Sequence, residues 1–147
     1  TYNVSIGQGD LLITPLHLAN YISTIANGGN IWKPHVNKDL TSDLLVNISS
    51  FSGKMREVQK GMREAVTSEL GTAHLLHDAG FSLGAKTGTV QVRGGAQENA
   101  IFVGFAPFDN PEIVVLILVE NAVEGSLNTV PIAKDVLDWY YWNRIRQ

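Results

Sequence analysis

Apolar residues recur at helical spacing soon after the start of the chain. Leu16, Ala19, Tyr21, Ile22, Ile25 and Ala26 follow Thr14-Pro15, and Gly28-Gly29 comes next. A threonine can accept the free N–H groups of a first turn, proline at the first helical position loses nothing, and glycine allows a left-handed stop, so the pattern predicts a helix over 15–27. From Ile31 to Ser49 no period is sustained, which predicts short strands and turns. Met55, Val58, Met62, Ala65 and Val66 then form a second helical stripe over 54–68, with Ser52 as its expected cap and Arg56, Lys60 and Arg63 on the wet face. Gly71-Thr72-Ala73 leads into a short turn through Leu75 and Leu76, stopped by Gly80.

Beyond this point the period becomes that of strands. Three runs, 83–92, 100–106 and 113–120, are separated by the turn signals Arg93-Gly94-Gly95 and Pro107-Phe108-Asp109-Asn110-Pro111, and such short connections predict an antiparallel meander. Ile113 to Val119 is apolar at every position, as in a strand covered on both faces, so helices are expected on both sides of the sheet. Thr129-Val130-Pro131 repeats the cap-and-proline start, and the helix after it is expected to bury Ile132, Ala133, Val136, Leu137, Trp139 and Tyr140. The fold class predicted is α+β, an antiparallel sheet with helices packed on both faces.

Composition narrows the function. With 147 residues, 44% of them hydrophobic and 17% charged, the chain reads as a soluble globular piece rather than a disordered tail. Eleven Lys+Arg against fourteen Asp+Glu leave a net charge of -3, and no basic surplus exists for a nucleic-acid backbone. The absence of cysteine excludes disulfides, thiolate metal sites and a cysteine nucleophile. The opening Thr1-Tyr2-Asn3 is neither an initiator methionine nor a signal sequence, so a chain cut from something longer is expected.

The densest chemistry lies in Gly84-Ala85-Lys86-Thr87-Gly88-Thr89-Val90-Gln91, a strand that gathers a cation, two hydroxyls and a side-chain-free position within four residues. Lys86 supplies charge, Thr87 and Thr89 supply directed hydrogen bonds, and Gly88 admits a ligand close to the backbone. At an effective dielectric near 20, an ammonium and a carboxylate about 4 Å apart attract by roughly 4 kcal/mol before desolvation, enough to orient an anionic ligand. Alternation puts Lys86 and Gly88 on one face and Thr87 and Thr89 on the other, so all four serve one site only at the rim of an edge strand.

Lys86-Thr87-Gly88-Thr89 resembles the Lys-Thr-Gly motif of penicillin-binding proteins and serine β-lactamases. The resemblance extends through Ile6-Gly7-Gln8-Gly9, Thr14-Pro15-Leu16, Ile25-Ala26-Asn27-Gly28-Gly29, Gly71-Thr72-Ala73, Phe102-Val103-Gly104-Phe105-Ala106-Pro107, Val119-Glu120-Asn121, Gly125-Ser126 and Pro131-Ile132-Ala133. In that order these segments look like the C-terminal part of a class B penicillin-binding transpeptidase domain of the penicillin-binding protein 2 type. The resemblance implies a partial transpeptidase-like fold over 1–147 and a serine D,D-transpeptidase that cross-links peptidoglycan stem peptides and is acylated by β-lactams. It implies catalytic roles for Lys86, in the proton network around the nucleophile, and for Thr89, whose N–H forms half of an oxyanion hole. It implies substrate binding by Lys86, Thr87, Gly88 and Thr89, with both threonines on the carboxylate. No metal or organic cofactor is implied. The expected partners are a stem peptide or β-lactam and the remainder of the domain. A membrane-anchored parent on the outer face of the bacterial cytoplasmic membrane is also implied.

This sequence departs from the family pattern at Ala85, where glycine is usual, and at Val90, where alanine is commoner. The larger departure is an absence. No serine has a lysine three positions later, so the Ser-x-x-Lys nucleophile is not in this chain, and Ser126-Leu127-Asn128 follows the motif strand instead of preceding it. The isolated chain is therefore expected to be catalytically inactive. Two other readings compete. Gly80 to Thr87 is one substitution from a phosphate loop, although such a loop must open into a helix. A noncatalytic binding or assembly module with an exposed apolar surface, prone to self-association, is the third class. His74 and His77 share a helical i, i+3 spacing beside Asp78, but no third metal ligand accompanies them.

Overall fold

The computed structural model describes residues 4, 7, 12–92, 95–122 and 124–146. Apart from Gly7, the Ile6-Gly7-Gln8-Gly9 segment lies outside the described residues, as does the Arg93-Gly94 part of the first strand turn. Helix α1 spans Pro15–Ala26, and the Thr14 hydroxyl accepts the His17 N–H at 3.2 Å, the cap expected from the sequence. It stops at Asn27, whose side-chain oxygen accepts the N–H groups of Gly29 and Asn30. Gly29 has φ +121°, and a Cβ there would lie 2.7 Å from the Ser49 nitrogen, so the stop requires glycine. Strand β1 (Asn30–Trp32) pairs antiparallel with β2 (Leu44–Asn47), a small exposed ribbon.

Helix α2 spans Ser52–Thr67 and is not capped by Ser52 as expected. A 3-10 turn over Ser49–Phe51 runs into it, and Ser52 already has helical φ -54° and ψ -36°, whereas a cap side chain reaches the first-turn N–H groups from an extended residue. Met62 and Val66 are buried, whereas Val58 of the expected stripe is exposed. Arg63 is not on a wet face either. Its guanidinium donates to the Leu83 carbonyl at 2.8 Å and lies over the Phe108 ring, tying α2 to the entry of the sheet.

The predicted meander is present. Strands β3 (Gly84–Val92), β4 (Gln97–Ala106) and β5 (Ile113–Val119) lie in the order β3-β4-β5, antiparallel throughout. Strand β4 begins earlier than expected, so Glu98 belongs to the ladder rather than to a turn. Alternation sends Phe102 and Ala106 toward α3 and Val103 and Phe105 toward α1 and α2, making one core on each face. Burying each phenylalanine fully is worth roughly 2–3 kcal/mol. Strand β5 is less covered than its composition implied. Only Val115 is buried and Leu118 is 40% exposed, because β5 is an edge of the sheet among the described residues.

Helix α3 spans Gly125–Tyr140 and continues as a π-helical turn over Tyr141–Ile145. It starts four residues before the expected cap: Thr129 is buried inside it, its hydroxyl donating to the Gly125 carbonyl, and Pro131 sits in the helix. The earlier start is set by docking on β3, described below. The buried face is Val130, Ala133 and Leu137, while Ile132, Val136 and Trp139, expected inside, are exposed. Positions 130, 133 and 137 recur at i, i+3, i+7, and that narrower stripe meets the sheet. Among the described residues no helix is long and apolar enough to cross a membrane.

Candidate active-site wall

Strand β3 is an edge of its sheet among the described residues, the position a shared rim requires. The register pairs Lys86 with Val103 and Gly88 with Ile101, placing these two on the α1–α2 face. Thr87 opposite Phe102 and Thr89 opposite Ala100 take the α3 face. Ala85, where the family pattern has glycine, is fully buried in the α3-side core, so its methyl group fills that core instead of crowding the rim.

The four motif residues meet different surroundings. Lys86 is exposed, and its ammonium donates to the Thr87 carbonyl at 2.5 Å. Gly88 is open: a Cβ there would meet nothing within 4 Å. Thr87 is buried, and its hydroxyl lies 2.8 Å from that of Thr72. The Thr89 hydroxyl accepts the N–H of Gly125 at 3.0 Å.

Two elements fix the threonine face. Helix α3 presents its first residue to β3, and a Cβ on Gly125 would lie 2.5 Å from the Gly88 carbonyl oxygen. Only glycine permits this approach, and it provides an acceptor for an N–H that helix geometry leaves unpaired. The Ser126-Leu127-Asn128 segment forms the first turn of α3. Its polar side chains engage Glu124: the Ser126 hydroxyl donates to the carboxylate at 2.7 Å and the Asn128 side-chain oxygen accepts the Glu124 N–H at 3.1 Å.

The second element is the Gly71-Thr72-Ala73 turn. A Cβ on Gly71 would lie 2.2 Å from the Ala65 carbonyl oxygen, the Ala73 N–H donates to that oxygen at 2.9 Å, and Ala73 is fully buried. The turn is thereby clamped to α2. Thr72 and Gly125 stood in the sequence only as parts of quoted segments, without roles of their own. Glycines flanking a polar or helix-starting position were the available signal, and which strand they approach is a tertiary fact.

Other candidate chemistry lies apart from β3. His74 and His77 stack with ring centroids 4.3 Å apart, and their Nδ1 atoms meet the main-chain carbonyls of Val66 and His74, respectively. No group of three side chains among the described residues is arranged to hold a metal ion. The Lys134 ammonium donates to the Asp78 carboxylate at 2.9 Å and lies 3.6 Å from Asp138. That hydrogen bond, with the charge behind it, holds Asp78 below the usual carboxylate range and Lys134 above the usual ammonium range. A mostly apolar groove of about 340 Å³ opens between α1, the β1–β2 ribbon and α2, lined by Tyr21, Ile25, Ile48, Met55 and Val58 among others, and no motif residue borders it. The phosphate-loop alternative fails on geometry, because Lys86 and Thr87 continue as strand through Val92 and open into no helix.

Known proteins share both the sequence and the fold. The chain is 30% identical over 173 aligned residues to the peptidoglycan D,D-transpeptidase MrdA of Haemophilus influenzae, covering 100% of this chain and 26% of the relative. The solved structure of penicillin-binding protein PBP2 from Helicobacter pylori superposes with a TM-score of 0.85 at 30% identity, over 95% of this chain and 26% of that one. Pseudomonas aeruginosa PBP2, solved in complex with WCK 5153, gives 0.79 at 31% identity over 96% of this chain and 33% of that one. The chain thus spans about a quarter of the length of the curated relative. The sequence model of the penicillin binding protein transpeptidase domain matches residues 1–138, and the chain belongs to that family.

Proposed function

We propose that this chain forms one wall of a peptidoglycan D,D-transpeptidase active site, with Lys86-Thr87-Gly88-Thr89 gripping the carboxylate of a stem peptide or β-lactam. The observation that carries the reading is the placement of this tetrapeptide on an edge of the sheet, its glycine open and its cation exposed. Thr87 and Thr89 direct hydrogen bonds to the carboxylate. Lys86 supports proton transfer and charge around a serine contributed from outside these 147 residues. The Thr89 N–H provides half of an oxyanion hole; along an antiparallel edge it shares the side of the Thr87 carbonyl, which already accepts from Lys86. The proposal extends to a membrane-anchored parent working on the outer face of the bacterial cytoplasmic membrane.

The 147-residue chain alone contains no Ser-x-x-Lys and does not turn over. Incubated with a labelled penicillin and weighed as the intact protein, it stays unmodified; a stoichiometric covalent adduct contradicts this. In the longer transpeptidase that the proposal places it in, Lys86→Ala lowers the acylation rate by about 100-fold or more. An unchanged rate removes Lys86 from the chemistry. A second reading, a binding module that associates through apolar surface, draws on the exposed Ile132, Val136 and Trp139 of α3. Sedimentation of the chain at rising concentration separates the two, since a clean monomer dismisses the module.

A further inference from the structure

We infer that Thr72 is a positioning residue for the carboxylate-binding hydroxyl of Thr87, an inference that rests on the reading of Thr87 just proposed. The turn that carries Thr72 is already docked without it. Gly71 allows the close approach to the Ala65 carbonyl and Ala73 fills the core, so packing accounts for both neighbours. Thr72 is exposed, and the contact it makes is with β3: its hydroxyl lies 2.8 Å from that of Thr87. An exposed threonine needs no hydroxyl partner to be stable there, because water serves as well.

The geometry constrains what this pair does. A hydroxyl has one proton to donate and two lone pairs to accept with. Across 2.8 Å either hydroxyl can be the donor, and only when Thr72 gives its proton to Thr87 does Thr87 keep its own for an anion. When a carboxylate arrives, the Thr87 O–H turns to it, and the Thr72 O–H donates to the Thr87 oxygen. The two hydroxyls then form a chain from Thr72 through Thr87 to the anion, and each bond polarises the next. Thr72 also holds the Thr87 side chain in one rotamer, since the clamp on α2 fixes the turn that carries it.

The test uses the longer transpeptidase with a β-lactam carrying its free carboxylate and the same β-lactam as its methyl ester. Thr72→Val keeps the shape and removes the hydroxyl; Thr72→Ser keeps the hydroxyl; Thr87→Val removes the ligand-facing group itself. The expected result is a roughly tenfold loss of second-order acylation rate for the free acid in Thr72→Val, carried by weaker binding rather than by the limiting acylation rate. The ester loses little, and Thr72→Ser restores the acid. Equal losses for acid and ester, or no loss with the acid, overturn the positioning role. If Thr87→Val also fails to distinguish acid from ester, the carboxylate reading of Thr87 falls with it. If Thr87→Val distinguishes them and Thr72→Val does not, only the inference about Thr72 falls. Melting of the 147-residue chain, unchanged by Thr72→Val, shows that the turn stays docked; a large drop assigns Thr72 to structure and overturns the inference.

Discussion

Gly88 and Gly125 lie against each other and need their missing side chains for opposite reasons. At Gly125 the space is taken: a Cβ would lie 2.5 Å from the Gly88 carbonyl oxygen. At Gly88 the space is open, with nothing within 4 Å of where a Cβ would stand. One glycine lets the protein touch itself and the other leaves room for something else to touch the protein. The same division runs along the tetrapeptide, where Thr87 and Thr89 are tied to Thr72 and Gly125 while Lys86 and Gly88 face an uncovered rim.

Substitutions can break this contrast. The largest effect is expected at Gly125→Ala, which forces α3 off β3 and costs about 2–3 kcal/mol, read from denaturant unfolding, whereas Gly88→Ala leaves the chain within about 0.5 kcal/mol of its parent. Equal costs at the two glycines would erase the distinction. Thr89→Val comes next: the Gly125 N–H loses its acceptor where α3 meets the sheet, and the loss is about 1–2 kcal/mol.

The smallest effect belongs to the ion pair between Asp78 and Lys134 of α3. The folded-state pKa of Asp78 is lowered by its hydrogen bond from Lys134, so its contribution is present above the unfolded carboxylate value and is lost as pH falls through the folded one. The folded pKa of Lys134 is raised, so its contribution is present below the unfolded ammonium value and is lost as pH rises through the folded one. Asp78→Asn should flatten the acid limb of the stability profile slightly and leave acylation untouched, because this pair lies apart from the motif. A steep change in either measurement would mean that the two regions are coupled.

Much of the fold is legible in the residue pattern. The cap and proline at Thr14-Pro15, the change from helical to strand period after Gly80 and the short turns between strands are local signals. Helix α1 forms where expected because its hydrogen bonds close within the helix, and the three strands form because short turns bring consecutive strands alongside to complete their ladders. The expectations that failed are those where a tertiary contact replaced a local one. Ser52 is no cap because the preceding 3-10 turn delivers it already in helical conformation, from which it continues the helix instead of starting it. Arg63 is drawn from solvent by the Leu83 carbonyl and the Phe108 ring, neither near it in sequence. Helix α3 starts before Thr129 because β3 supplies an acceptor for the Gly125 N–H.

The motif itself is local in a second sense. Charge, hydroxyls and a bare backbone position follow one another in four residues, and a strand's two-residue period dictates which of them share a face. Chain order therefore determined the chemical content of this wall, the absence of a Ser-x-x-Lys nucleophile from these residues, and the alternation of its side chains. Which face is open and which is clamped was decided in three dimensions. It depends on Gly125 and Thr72, 36 and 15 positions from their partners on β3, and a hydrogen bond across such a distance exists only once the sheet, α2 and α3 have packed.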